Sequence, residues 1–161
     1  MKIFRSLLFI ATIAPACVYA RPGADSIWPI DQQTATQCVL RIHVDGLRNS
    51  TGVVGTAIFK SADGWPEDMS KAFHHWPTPI AAGAHEATAV MENLLPGDYG
   101  VVVIHDENGN KKMDRNFIGI PKEGFGFANN PHVGLSAAPF AASIVHVTCS
   151  VTETKIHIIY K

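Results

Sequence analysis

A polar loop between residues 106 and 114 has the residue types and the spacing of a calcium-binding loop. Asp106, Asn108, Asn110 and Asp114 occupy the first, third, fifth and ninth positions of that spacing, where oxygen-bearing side chains can surround one hard cation. The same side chains can instead cap the backbone of their own loop through Asx turns, without a metal. The loop is therefore predicted either to bind calcium or to be held by its own hydrogen bonds.

The loop departs from an EF-hand at two positions. The sixth position is Lys111 instead of Gly, and the twelfth is Phe117 instead of a bidentate Glu. A helix-loop-helix calcium site is therefore excluded, and Glu107 or Glu123 would have to supply a further carboxylate. Calcium is the one possible cofactor that the sequence predicts.

A catalytic interpretation of the same region uses three neighbouring titratable residues. Asp106, His105 and Glu123 are suitable types for the acid, the base and the orienting group of an envelope hydrolase. However, the sequence contains no Gly-x-Ser-x-Gly nucleophile turn, no phosphate-binding Gly-Lys-Ser/Thr loop and no reactive-cysteine signature. We therefore favour a non-enzymatic module, in which His105 is a structural residue that hydrogen-bonds the loop after it.

Aromatic side chains next to Gly or Pro form a second group of candidate functional residues. They can line a ligand groove or fill the core of a small sandwich, and the core is the favoured interpretation. These side chains are Trp65, Trp76, Phe117 and Phe125.

The first twenty residues have the pattern of a secretory signal peptide. Lys2 and Arg5 precede a short apolar stretch, residues 7–14, and Ala20 ends a small-residue motif that is typical of a cleavage site. We predict cleavage after Ala20, so that the protein is exported to the periplasm or the extracellular space of a bacterium. Residues 21–37 show no periodicity and are predicted to form a flexible leader.

The composition after removal of this signal peptide limits the possible partners. Eleven basic and fourteen acidic residues remain, a formal charge of −3. Nucleic-acid binding needs clustered Lys and Arg to neutralise phosphates, so a mildly acidic chain argues against it. No second apolar stretch reaches the length that spans a membrane, and about 140 residues suit one domain.

Two cysteines remain in the predicted mature chain, Cys38 and Cys149. An even number of cysteines in an exported protein is typical of a disulfide. Two buried thiols on separate strands are the alternative, because the sequence does not show whether the two Cα atoms approach each other.

The hydrophobic pattern from residue 38 onwards predicts an all-β domain that extends to residue 161. Apolar residues alternate with polar ones in the first segment, and residues 101–104 are apolar throughout, as in a central strand buried on both faces. The connection 61–79 contains several prolines, with one or two helical turns between 67 and 73, and residues 117–130 are predicted to be irregular. About seven short strands result, which favours a small antiparallel β-sandwich. The predicted strands are 38–44, 53–60, 86–93, 101–104, 143–149 and 154–160, with a seventh left open.

The central part of the chain resembles a bacterial family, domain of unknown function 2141. The resemblance is carried by a Leu-Pro-Gly-Asp-Tyr turn at 95–99, by His-Asp-Glu-Asn-Gly-Asn at 105–110, and by the stretch 117–130. It covers roughly residues 40–160 and implies an exported protein. The turn at 95–99 is similar to one in transthyretin-like and carboxypeptidase-regulatory-like sandwiches, which implies a transthyretin-like or immunoglobulin-like fold. Members often have Gly-Lys where this chain has Lys111-Lys112, and the added positive charge opposes a cation there.

The sequence thus favours an exported binding or structural module of the cell envelope. Its expected partner is an envelope protein, a glycan or a small ligand, and the loops carried by the rigid sandwich would make the contact.

Overall fold

The computed structural model describes residues 38–134 and 136–161. The predicted signal peptide, residues 1–20, and the predicted leader, residues 21–37, lie outside the described residues. Within the described part, eight strands form a sheet of three strands and a sheet of five. The strands are β1 (Cys38–Asp45), β2 (Val53–Phe59), β3 (His74–Pro79), β4 (Glu86–Leu94), β5 (Gly97–Asp106), β6 (Gly124–Phe127), β7 (Ile144–Val147) and β8 (Val151–His157).

The small β-sandwich predicted from the sequence is confirmed. The first sheet has the order β4-β1-β8, and the second has the order β3-β2-β5-β6, with β7 pairing with the first half of β5. The strand pairs of the described region are antiparallel except β1 and β8, which run parallel. A 3₁₀ turn, Phe140–Ser143, is the one helical element in that region.

The main core lies between the two sheets and follows from the alternation in β1. Leu40, Ile42 and Val44 are fully buried, whereas Arg41 and His43 are partly exposed. The buried residues pack against apolar side chains of the second sheet and of β8. A two-residue period therefore directs one face of β1 into the core, as the sequence predicted.

The five-stranded sheet is also covered on its outer face. In β5, Val101 and Val103 join the main core, while Val102 belongs to a second apolar cluster on the opposite face with Phe59 and Phe127. The prediction that residues 101–104 form a strand buried on both faces is therefore confirmed for Val101–Val103, with Ile104 partly buried.

Two strands were not expected. β3 carries prolines, which led to the prediction of an irregular connection, but it lies at the edge of its sheet, where a missing N–H can face away from the neighbouring strand. β6 falls in the predicted irregular stretch 117–130. The helical turns predicted for 67–73 are wrong: this segment has no helix and forms a turn in which the Lys71 N–H donates to the Asp68 carbonyl at 3.0 Å.

The glycines of β6 allow a close approach between the two sheets. Gly124 and Gly126 pair with His105 and Val103 of β5, and a Cβ atom on Gly126 would lie 2.6 Å from Cγ2 of Ile156. A side chain at Gly126 would therefore collide with β8.

None of the helices that the described residues form is long and apolar enough to cross a membrane.

Candidate functional site

The loop after β5 is organised by the carboxylate of Asp106, which is 2 % exposed. Its Oδ1 accepts the N–H groups of Gly109 at 2.8 Å and Asn110 at 3.1 Å, and its Oδ2 accepts the N–H of Lys111 at 2.8 Å. Because Asp106 is the last residue of β5, the strand fixes the carboxylate beneath the turn. One buried side chain thus satisfies three backbone donors, as in an Asx turn.

The backbone of Lys111 is left-handed, at the position where an EF-hand has Gly for its sharp turn. Its φ angle is 63°, in the left-handed region that usually favours Gly and costs other residues about 1 kcal/mol. The sequence pattern argues against an EF-hand partly because position 111 is Lys and not Gly. The residue type thus departs from the EF-hand pattern, whereas the positive φ of Lys111 is one that Gly adopts readily.

The carboxylate of Asp114, at the end of the loop, accepts hydrogen bonds from two side chains of the same loop. Its Oδ2 accepts the Asn108 side-chain N–H at 2.6 Å, and its Oδ1 accepts that of Asn110 at 3.0 Å. The amide oxygens of Asn108 and Asn110 in turn accept the N–H groups of Asn110 and Lys112. All four predicted ligands therefore lie in one hydrogen-bonded loop.

The two further carboxylates suggested by the sequence have different roles. Glu123 reaches the loop: its Oε1 accepts the Glu107 N–H at 3.2 Å, and its Oε2 accepts the Asp114 N–H at 3.1 Å. The Glu107 carboxylate instead binds Arg48 and accepts the Asn49 side-chain N–H at 2.6 Å. Glu123 is thus the better placed to complete a cation site.

Burial gives Glu123 an unusual titration. The side chain is 3 % exposed, and loss of hydration raises its pKa above the ordinary value, with a further upward contribution from the negative charges of Asp106 and Asp114. For Glu107, in contrast, the hydrogen bond from Arg48 lowers the pKa. A cation near Glu123 would therefore relieve repulsion among three carboxylates.

Among residues 38–134 and 136–161, no three or more His, Cys, Asp or Glu side chains are arranged to hold a metal ion. A cation in this loop would therefore need oxygen ligands of another kind, and the side-chain amides of Asn108 and Asn110 provide them.

His105 is a buried structural histidine. Its side chain is on the face of β5 that points into the main core, it is 0 % exposed, and both ring nitrogens have protein partners. Nε2 lies 2.9 Å from the Thr51 carbonyl oxygen, so it carries the proton that is donated there, and Nδ1 lies 2.6 Å from the Tyr160 hydroxyl. The structural role predicted for His105 is therefore correct, but the partners come from the 46–52 turn and from Tyr160, and not from the following loop.

The buried position of His105 bears on the hydrolase alternative. His105, Asp106 and Glu123 are each at most 3 % exposed, and their polar atoms are occupied by the hydrogen bonds described above. No observation in the described region favours catalysis by these residues, and the hydrolase stays a prediction.

A groove of ≈ 450 Å³ lies on the outer face of the five-stranded sheet. Val102 and Ile104 of β5 form its floor together with Phe125 and Phe127 of β6, which are their neighbours in the sheet register. The volume is within the range of small-molecule sites, and a mostly apolar lining is typical of them. Its walls come from the 61–73 segment, from the loop 111–121 and from the chain around residue 133, through Pro66, Met69, Met113, Pro121 and Val133.

The rim of this groove is basic. Lys111, Lys112, Arg115 and Lys161 line it, whereas Glu67 is the single acidic residue that does so. Four of the chain's thirteen Lys and Arg residues are thus collected at one groove of a chain with net charge −1. Glu67 pairs with Arg115, but no carboxylate of the described residues forms an ion pair with Lys111 or Lys112.

The aromatic residues singled out in the sequence divide between core, groove and solvent. Trp65 packs in the second cluster, with its ring 5.8 Å from that of Phe127, and Trp76 packs partly against the main core. Phe125 lines the groove. Phe117 was expected in the core, but it is 99 % exposed at the tip of the 116–119 turn, so that prediction is wrong for Phe117.

The two cysteines predicted to pair are adjacent in space. The Cys38 and Cys149 sulfur atoms lie 3.1 Å apart, within hydrogen-bonding distance but not joined by a covalent bond. Burial raises the pKa of the Cys38 thiol to about 11, whereas Cys149 is exposed.

Comparison with protein-family models adds one finding. The model of a family described as uncharacterised proteins conserved in bacteria, DUF2141, matches residues 42–156, most of the chain. The chain belongs to the DUF2141 family. Comparison with curated proteins and with solved structures gave no match.

Two features of this DUF2141 protein were missed by sequence reasoning. The sequence treated Lys111 and Lys112 as a charge that opposes a cation, but they also border the groove, and with Arg115 they place three cations within five residues of a chain that has few. The hydrogen bond between Tyr160 and His105 joins residues 55 positions apart, and no local pattern indicates it.

Proposed function

We propose that this DUF2141 protein is an exported, non-catalytic binding module of the bacterial cell envelope, and that the groove on the outer face of the five-stranded sheet is its binding surface. The observation that carries the proposal is the groove itself. Its floor is formed by side chains of two paired strands, so the apolar part of the site is carried on strands and not on loops. Its rim is formed by loops, which supply the polar contacts.

The groove can be tested with an uncharged fluorophore such as Nile red, whose emission rises in apolar surroundings. Ala137 is exposed and lines the groove, and Ala141 is exposed outside it. We expect the wild type and Ala141→Trp to enhance the emission equally, and Ala137→Trp, which fills the groove, to remove most of the enhancement. Equal enhancement in both variants, or none in the wild type, would overturn the proposal.

We propose further that the 106–114 loop takes up a calcium ion. To bind the ion, Asn108 and Asn110 would give up the hydrogen bonds that their NH2 groups donate to Asp114 and that their oxygens accept from backbone N–H groups, so that the amide oxygens and the Asp114 carboxylate face the cation. Asp106 and Glu123 would have to shift to add carboxylate oxygens, because with Asp114 they are not arranged around one point in the described part of the chain. The backbone of Lys111 supports this assignment, because its φ is positive, as Gly allows in the sharp turn at the sixth position of an EF-hand.

Calcium uptake is tested by thermal unfolding. With an excess of calcium over chelator we expect Tm to rise by about 3–6 °C, as for a site of moderate affinity. Asp114→Asn keeps the shape of the side chain but removes its charge, and should abolish the rise. Asp98→Asn, an exposed change outside the loop, should keep it. An unchanged Tm in the wild type would show that the loop is held by its own hydrogen bonds alone.

We also propose that export leads to a disulfide between Cys38 and Cys149. The 3.1 Å separation of the sulfur atoms means that only a small local movement is needed to form the bond, and oxidising compartments favour it.

A further inference from the structure

We infer that the groove binds a small amphipathic anion, an acidic head group attached to an apolar body. This inference rests on the proposed function and names the class of ligand. The floor supplies an apolar surface for the body, and the Lys and Arg side chains that line the same groove supply positive charge for the head group.

The apolar part of the ligand is indicated by the floor. Ile104 and Met113 are only partly buried although they pack against the second apolar cluster, and Val102, Phe125 and Phe127 keep a small exposed surface beside them. A hydrocarbon chain laid along these side chains would remove their remaining surface from water, which is favourable in proportion to the area covered. A groove of ≈ 450 Å³ is large enough for such a chain and too small for a folded partner.

The sign of the head group is indicated by the rim. Within the described part of the chain, Lys111 and Lys112 have no acidic partner, and Arg115 is neutralised by Glu67. A carboxylate, sulfate or phosphate group between the two lysines would complete the charge balance and form charge-assisted hydrogen bonds. A cationic head group would meet the same lysines and be repelled.

The test compares three compounds with the same twelve-carbon chain, below the micellar concentrations of the charged two and the solubility limit of the alcohol, by calorimetry or by displacement of Nile red. We expect the full mature protein to bind dodecanoate at least tenfold more tightly than dodecyltrimethylammonium, with dodecanol between them. Dodecyl sulfate and dodecyl phosphate should resemble dodecanoate, because the lysines recognise negative charge. The dissociation constant for dodecanoate should rise with salt concentration.

Two matched pairs of variants locate the binding. Ala137→Trp should abolish dodecanoate binding while Ala141→Trp keeps it. Lys112→Gln should weaken dodecanoate binding about three- to fivefold without affecting dodecanol, whereas Lys122→Gln, a lysine outside the groove, should leave both unchanged.

The outcomes separate this inference from the proposed function. Equal affinity for the three compounds, with binding still lost in Ala137→Trp, would overturn the anion inference and leave the groove as a binding site. Absence of any binding, including that of Nile red, would overturn both. If sedimentation shows a wild-type dimer that Ala137→Trp dissociates, and dodecanoate does not bind, the groove would belong to a second copy of the chain and the anion inference would fail.

Discussion

The Tyr160 hydroxyl lies 2.6 Å from Nδ1 of His105 and also accepts the backbone N–H of Arg48 at 3.0 Å. His105 immediately precedes the 106–114 loop, and Arg48 holds Glu107 within it. Tyr160 therefore connects the chain after β8 to both sides of the loop's base.

Replacement of Tyr160 by Phe should lower the free energy of unfolding by about 1–3 kcal/mol, because two hydrogen bonds are lost and a buried imidazole nitrogen loses its donor. Tyr99→Phe is the matched control: its hydroxyl donates only to the Leu95 carbonyl, at 2.9 Å, so we expect a loss of about 1 kcal/mol. Urea denaturation measures both values. An equal loss in the two variants would contradict the role assigned to Tyr160.

The raised pKa of Glu123 makes stability depend on pH in a defined direction. The folded state favours the protonated side chain, so the stabilisation is fully present below the ordinary pKa of Glu and is lost as the pH rises through the raised pKa. In calcium-free buffer, the free energy of unfolding of the wild type should fall over this interval. Glu123→Gln should remove this slope, and Glu92→Gln, an exposed change on β4, should preserve it. Parallel pH profiles for the wild type and Glu123→Gln would show that Glu123 is not the source.

Oxidation should join Cys38 and Cys149. The exposed Cys149 is expected to react first with an oxidant, because burial keeps the Cys38 thiol protonated. In the chain-entropy model, closing a loop between residues 111 positions apart stabilises the protein by about 4–5 kcal/mol. Thiol titration and unfolding with and without reductant measure these effects, and Cys149→Ser should abolish the difference. Two titratable thiols in protein purified from the periplasm without reductant would contradict the prediction.

Gly126→Ala should destabilise the protein by about 2 kcal/mol or more, because the added methyl group meets Ile156 and the His157 carbonyl of β8 and forces the sheets apart. At Gly134 a Cβ atom would have nothing within 4 Å, so Gly134→Ala should change the free energy of unfolding by less than about 0.5 kcal/mol. Thermal unfolding compares the two, and equal stability would show that the sheets can separate at β6 without cost.

The sequence was sufficient for the features that depend on local pattern. The alternation in β1 and the apolar run in β5 predicted their burial, and the spacing of Asp106, Asn108, Asn110 and Asp114 correctly placed these residues in one loop. The strands β3 and β6 were missed because prolines and glycines are unfavourable in most strands. The prolines of β3 are tolerated because β3 lies at the edge of its sheet. The glycines of β6 are tolerated because β8 lies close to them across the core.

The features that depend on distant residues were not predictable from one sequence. The groove joins side chains from β5, β6 and three loops, and Lys161, which is far from Lys111, Lys112 and Arg115 in the sequence, lines the same groove. Similarly, which of Glu107 and Glu123 can serve as a further cation ligand depends on Arg48. Arg48 lies in another turn and forms an ion pair with Glu107, so Glu107 is already occupied. These outcomes depend on tertiary contacts that no local periodicity contains.

The parallel pairing of β1 with β8 has a mechanical consequence. Tension applied between residues 38 and 161 would pull these two neighbouring strands lengthwise in opposite directions, so the hydrogen bonds along the seven paired positions Val39–Asp45 and Val151–His157 would be loaded together and not broken one after another. A chain pulled from these two ends would therefore resist stretching until many hydrogen bonds break at once.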